Sequence, residues 1–304
     1  MPYSLVLHCI STNGAVRPED LQGQKGLALF LEQLIQTQDA AVAARLHAPD
    51  RVKPFTTALM PRPGITGERR HSATTAGPRP SPGTGAPSEV HLRLTLLDDA
   101  LYPLVSQFFL QSLGSIPKLH LGQSSLAVSR VLATPESGEP WAGFVRFTDL
   151  LAVASASQTS WTLHFATPTS FKSGNVELPL PIPRLCFQSW LNSWDEHAPA
   201  PFFHDRAARR AFLSEVVEAC VSVSYSQLRM AQQSLYFDGM RTREQGFVGV
   251  CRFTVRAARV DPAFCRILDV LTRYSFFAGT GRKTTMGMGM TRRVEKEPAV
   301  CQIT

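Results

Sequence analysis

Residues 90–109 read Val90-His-Leu-Arg-Leu-Thr-Leu-Leu-Asp-Asp-Ala-Leu-Tyr-Pro-Leu-Val-Ser-Gln-Phe-Phe109. Val90, Leu92, Leu94 and Leu96 alternate with His91, Arg93 and Thr95, the period of a half-buried strand. The period then changes. Leu101, Leu104, Val105, Phe108 and Phe109 fall on one helical face, and Asp98 or Asp99 stands where a helix cap belongs. A strand that turns directly into an amphipathic helix is one half of a βαββαβ unit, and the rest of that unit lies on either side. Upstream, Tyr3–Ile10 alternates as a first strand. Leu27, Phe30, Leu31, Leu34 and Ile35 form a helical stripe, which the alanines at 40, 41, 43 and 44 extend toward Leu46, and Lys53-Pro54-Phe55-Thr56 opens a second extended piece. Downstream, a further strand falls within Lys118–Ala133.

The second half repeats this order. Trp161, Leu163 and Phe165 alternate, and Pro183 opens a helix with Phe187, Trp190, Leu191 and Trp194 on one face. A helix over 206–219 and strands near 219–225, 235–239 and 247–256 follow. Asp261-Pro262 then starts a helix carrying Phe264, Ile267, Leu268 and Leu271. The expected fold class is α+β, two tandem ferredoxin-like domains over 1–150 and 151–304. Residues 61–88 are rich in Pro, Gly, Ser and Thr and read as a flexible loop. A merely solvated insertion is the favoured reading of this stretch, with contact to RNA through Arg62, Arg69, Arg70, His71 and Arg79 as the alternative.

The chain has 304 residues, 44% of them hydrophobic, which is enough for two domains and excludes wholesale disorder. No apolar run reaches the ~18 residues of a membrane helix. The first ten residues lack the basic and long apolar regions of a secretory signal, so none is expected. The six cysteines form no CxxC pair and read as reduced thiols of a cytoplasmic protein. Residues 220–304 carry 13 basic and 6 acidic residues, and that excess equals the net charge of the whole chain, +7. A positive field so localised suits a polyanion such as nucleic acid.

Phe276–Gly289 reads FFAGTGRKTTMGMG, with Gly279, Gly281, Gly287 and Gly289 in two GxG pairs. Glycines let a backbone approach a ligand, consecutive amides can form an anion-binding nest, and Arg282 and Lys283 add charge. A helix C-cap alone would account for Gly279. The glycines follow a helix rather than a strand, so a dinucleotide fingerprint does not fit, and no GxxxxGK[ST] string is present. Arg252, Thr254 and Arg256 share one face of a strand. With Arg241, Arg243, Arg282 and Lys283 they make a candidate basic track for RNA phosphates.

The glycine string resembles the C-terminal motif of the CRISPR repeat-RNA-processing endoribonucleases, within the repeat-associated (RAMP) superfamily. Leu46-His47 followed by Lys53-Pro54-Phe55-Thr56 resembles that family's N-terminal element. Phe165–Phe171, Leu178–Pro181 and Gly246–Gly249 also match in order and spacing. The resemblance implies a metal-free cut of CRISPR precursor RNA by ribose 2′-OH attack, leaving 2′,3′-cyclic phosphate and 5′-hydroxyl ends, with no cofactor. It places catalysis at His47 and Lys53. Imidazole suits acid–base work near neutrality, and a lysine can stabilise charge building on the phosphate. It implies CRISPR repeat or guide RNA as partner and allows a second copy of the chain or other effector subunits. The family's first-helix tyrosine has no counterpart, since no tyrosine lies between Tyr3 and Tyr102. Glu32 and Gln33 stand on that helix instead, with Arg51 or a residue of the other domain as further substitutes. A catalytically inactive subunit that only binds repeat or guide RNA is the alternative reading. His8, His71, His91 and His164 are the competing histidines.

Overall fold

A computed structural model describes residues 1–17, 19–48, 52–60, 88–111, 115–237, 240–256 and 260–294. Apart from Ser88, the expected 61–88 loop lies outside the described residues. The first sheet is built from β1 (Tyr3–Ser11), β2 (Phe55–Met60), β3 (Glu89–Leu96), β4 (Lys118–Leu121), β5 (Ser124–Leu132) and β6 (Gly143–Phe144). Its order is β2-β3-β1-β5-β4, with β6 also on β1. The β2-β3-β1-β5 core, all antiparallel, is the ferredoxin-like arrangement. One face is covered by α1 (Gly23–Ala28), which runs on into a π-helical stretch over Leu29–Ile35, and by α2 (Ala40–His47) and α3 (Leu101–Gln111). The single helix expected up to Leu46 is broken after Ile35. Asp39 accepts hydrogen bonds from the amides of Ala41 and Val42, and this local cap restarts the helix on a new axis.

α4 (Phe147–Val153) spans the expected division at 150/151, and its Phe147 and Leu150 pack into the core of the second half. That half contains β7 (Ser160–Thr169), β8 (Phe171–Ser173), β9 (Val176–Leu178), α5 (Pro183–His197), α6 (Arg206–Ala211) with a π-helical continuation over Phe212–Glu218, β10 (Val221–Phe237), β11 (Met240–Val255), α7 (Pro262–Ala278) and β12 (Thr291–Arg293). The sheet order β10-β11-β7-β12 repeats the ferredoxin-like pattern. The two short strands expected at 219–225 and 235–239 are one long strand, paired with β11 from Val221↔Val255 to Phe237↔Met240 with a register shift between Ser226 and Arg229. Trp161, Phe187, Trp190, Trp194 and Phe253 fill this core, and Asp261 caps α7 as expected. Among the described residues, no helix is long and apolar enough to cross a membrane. The described cysteines are free.

The open face of the first sheet meets α7, β7 and the glycine loop of the second domain. β3 was expected to expose His91, Arg93 and Thr95, yet all three are buried. Val6, Ala58, Met60, Trp141 and Ala142 of the first half close on Met290, Ala166 and Phe276 of the second. Arg93 sits at the centre of this interface. Its guanidinium lies 5.0 Å from the Trp141 ring and 4.6 Å from the Phe276 ring. It donates to Ser4 Oγ (2.9 Å), to the Trp141 carbonyl (3.3 Å) and to the Phe276 carbonyl (2.6 Å).

Burial lowers the pKa of His164, helped by the Arg292 charge, and that of His197, where Glu196 and Asp98 oppose it. A base with a depressed folded pKa binds protons more readily when unfolded, so stability present above the ordinary histidine pKa is lost as pH falls. The thermal midpoint is expected to drop between pH 7.5 and pH 5 and to drop less in a His164→Gln variant. A midpoint that rises toward pH 5 would contradict this assignment.

Candidate functional site

His47 is the last residue of α2, and its side chain is exposed. With Arg45 it places basic groups in the last helical turn, where carbonyl dipoles favour cations. Lys53 reaches back to the same helix end. Its ammonium donates to the Leu46 carbonyl at 2.8 Å and to the Ala48 carbonyl, on either side of His47 in the chain. The fold thus brings the two residues read as catalytic to one helix terminus. It also gives Lys53 a structural task, since it satisfies carbonyls the helix leaves open.

The surface beside them forms a cleft lined by Arg45, Lys53, Pro54, Asp98, Glu196 and His197. His197 ends α5 of the second domain and faces the Val52–Lys53 segment across this cleft. It is the titratable ring of this cleft that sequence reasoning missed. Its only signal was its position at the end of the tryptophan-bearing helix. Of the substitutes for the absent tyrosine, Gln33 is committed elsewhere. Its side chain clasps the backbone N–H and C=O of His120, both at 2.7 Å. Glu32 is exposed, and Arg51 lies outside the described residues.

The glycine loop runs from the end of α7 to β12, and all four glycines have positive φ. Gly279 is the C-cap of α7, as a purely structural reading requires, and Gly289 packs so closely on the Thr280 carbonyl that a Cβ would overlap it. The anion-nest expectation is corrected for most of the loop. The amides of Gly279, Thr280, Gly281, Arg282 and Gly289 donate to Ser275 O, Gly289 O, Ser189 Oγ, Ser170 O and Pro168 O. The loop's cations are also engaged. Arg282 pairs with Glu177, and Lys283 pairs with Glu244. The loop docks on the first domain through a 3₁₀ turn at Thr284–Met286, where Thr57 Oγ1 donates to Thr285 O at 2.7 Å and Gly23 leaves room for the Met286 carbonyl. A groove lined by Gln22, Gly23, Gln233 and Gly287 runs along this contact.

On β11, Cys251, Phe253 and Val255 are buried, while Arg252 and Thr254 take the opposite face. Arg243 and Arg256 are exposed, and the side chain of Arg241 lies outside the described residues. The alternation read from the sequence is therefore the one the strand adopts.

Two ferredoxin-like domains in tandem, joined by a glycine loop from the second that rests on the first, define the repeat-associated class of proteins. Residues 1–152 match the family model described as the CRISPR Cas6 N-terminal domain, and residues 163–291 match the one described as CRISPR-associated endoribonuclease Cas6. The chain belongs to the CRISPR-associated endoribonuclease Cas6 family. It is 34% identical over 134 residues to the Cas6 of Mycobacterium tuberculosis, a match spanning 43% of this chain and 37% of that protein's length. It is 26% identical over 214 residues to the Cas6 of Streptococcus thermophilus, covering 68% of this chain and 75% of the relative. A solved Cas6 product complex superposes with a TM-score of 0.75 at 29% identity, covering 97% of this chain and all of the other.

Proposed function

We propose that this chain is an endoribonuclease that cuts CRISPR precursor RNA within the repeat, by attack of a ribose 2′-hydroxyl on the adjacent phosphorus. The 2′-oxygen–phosphorus bond forms as the phosphorus–5′-oxygen bond breaks. The products carry a 2′,3′-cyclic phosphate and a 5′-hydroxyl. The observation that supports this reading is that the Lys53 ammonium donates to the Leu46 and Ala48 carbonyls, the backbone on either side of the exposed His47 at the end of α2. His47 moves the proton, from the 2′-hydroxyl or to the departing 5′-oxygen, and Lys53 holds positive charge near the phosphoryl oxygens as negative charge grows there.

RNA is held by charge across the second domain. Arg243, Arg252 and Arg256, with Arg241 in the same hairpin, form the track. Arg282 and Lys283, with the loop glycines 279, 281, 287 and 289, form its far end, where RNA phosphates compete with Glu177 and Glu244. Affinity for repeat RNA is expected to fall steeply as salt rises, and an Arg252→Ala, Arg256→Ala double variant should lower the slope of log affinity against log salt by about 1 to 2 units. A binding curve insensitive to salt would remove the track.

The deciding experiment is incubation of the purified chain with its cognate repeat RNA in excess EDTA, followed by end-group analysis. Undiminished cleavage with cyclic phosphate ends supports the mechanism. Loss of cleavage with EDTA and rescue by Mg²⁺ or Mn²⁺ would replace it by a metal-assisted one. A chain that binds repeat RNA and leaves it intact is the second reading, an inactive guide-holding subunit, which the missing first-helix tyrosine favours.

A further inference from the structure

We propose that Glu177 is a built-in competitor for RNA phosphate, seated on Arg282 in the free chain and displaced when RNA binds, while Glu244 keeps hold of Lys283 throughout. The inference rests on the reading that the glycine-loop cations meet RNA. Four charges gather there. Arg282 pairs with Glu177, Lys283 pairs with Glu244, and Arg282 Nη1 also lies 3.8 Å from Glu244 Oε2. Two cations and two carboxylates cancel, so in this state the loop adds no net charge to the RNA track. A carboxylate offers a guanidinium two oxygens, as a phosphate does, so Glu177 occupies the seat that an RNA phosphate needs.

The two carboxylates are held differently. Glu244 lies within the long β10–β11 ladder, registered against Gln233, and its side chain is 10% exposed. Glu177 lies on β9, whose only partner among the described strands is β8, and its side chain is 44% exposed. A part-exposed ion pair is worth little in water, whereas a largely buried one is costly to break. Glu177 is therefore the partner that yields. Each member of the broken pair has a second partner at hand. Lys172 is exposed and registered directly opposite Glu177 across the β8–β9 hairpin, on the same face. Glu244 Oε2 is buried with no hydrogen-bond partner, and a guanidinium released by Glu177 needs to move only about 1 Å to meet it. The planar fork of Arg282 then gives one edge to Glu244 and another to phosphate. The backbone stays in place, because the Arg282 amide donates to Ser170 O at 3.0 Å and the Gly281 amide to Ser189 Oγ at 2.9 Å. The exchange is one of side chains alone.

The test is equilibrium binding of the full-length chain to its cognate repeat RNA, synthesised without the 2′-hydroxyl at the cut so that it stays whole. Glu177→Gln should bind about 2–5-fold more tightly than the parent at low salt, and its plot of log affinity against log salt should be steeper by about 0.7. The altered side chain is exposed, so the thermal midpoint should stay within about 2 °C of the parent. Glu244→Gln should lower the midpoint, since Lys283 loses the carboxylate that holds it, and should gain no affinity. In an Arg282→Ala background, Glu177→Gln should change nothing, because the competition then has no cation to act on. A Glu177→Gln chain that binds no tighter, a gain that persists without Arg282, or an equal gain in Glu244→Gln would each overturn the competitor. An Arg282→Ala chain that binds as tightly as the parent would instead take the glycine loop out of the RNA track, and with it the reading beneath this inference.

Discussion

His47→Ala is expected to lower the rate of repeat-RNA cleavage by about 10²–10⁴-fold while leaving the dissociation constant for uncut RNA within about twofold of the parent. The imidazole is exposed at the end of α2 and packs into no core, so its removal opens no cavity. The helix loses one basic residue from its last turn, an effect of at most about 1 kcal/mol and too little to unfold a two-domain chain. A proton-transfer group lost in this way affects the chemical step and spares binding. Lys53→Ala should behave differently. That ammonium also closes the carbonyls of Leu46 and Ala48, so its removal should lower both the cleavage rate and the thermal midpoint. Single-turnover cleavage with a separate filter-binding measurement distinguishes the two patterns. Full-rate cleavage by His47→Ala would send the search to His197, which already faces the Val52–Lys53 segment.

The strand and helix periods of each half were readable along the chain because each element buries one face within its own domain. Alternation at 90–96 and the stripe at 101–109 needed no long-range knowledge. What the periods could not reveal was the packing of one domain against the other. Arg93 and Thr95 read as a solvent face because they are polar at alternate positions, and they are buried because the second domain covers that face. The same blindness hid His197, brought to Lys53 from 144 residues away by the association of the domains. The glycine loop shows another limit. Its composition correctly marked a backbone forced into positive φ, yet the same composition suits a nest that grips phosphate and a loop folded tightly on its own carbonyls. Only the hydrogen-bond partners of Gly281, Arg282 and Gly289 separate the two. His47 and Lys53, by contrast, were singled out by the resemblance of Leu46-His47 and Lys53–Thr56 to the family's N-terminal element, and their closeness around one helix exit is local in sequence.

Arg93→Ala is expected to destabilise the chain by about 3–5 kcal/mol, measured as the shift of the denaturation free energy. Two losses add. The long stem and planar head fill the space between the Trp141 and Phe276 rings, and truncation leaves a cavity between domains that the sheets cannot close. The Phe276 carbonyl also loses its donor, at a cost of about 1–3 kcal/mol, whereas the Trp141 carbonyl keeps the hydrogen bond from the Ser4 hydroxyl. One gain opposes them. Burial disfavours the guanidinium charge, and the variant is relieved of that penalty, which keeps the net effect below the sum of the losses. Arg93→Met separates the contributions, because it retains most of the volume and none of the donors, and it should cost about half as much. Arg93 bonds across the domain boundary to the carbonyl of Phe276, so the variant should also lose cooperativity. Calorimetry that shows one transition for the parent should show two for Arg93→Ala, one per ferredoxin-like unit. Were the midpoint of Arg93→Ala unchanged, the guanidinium would be a passenger in the interface, and the apolar contacts of Val6, Met60 and Met290 alone would hold the domains together.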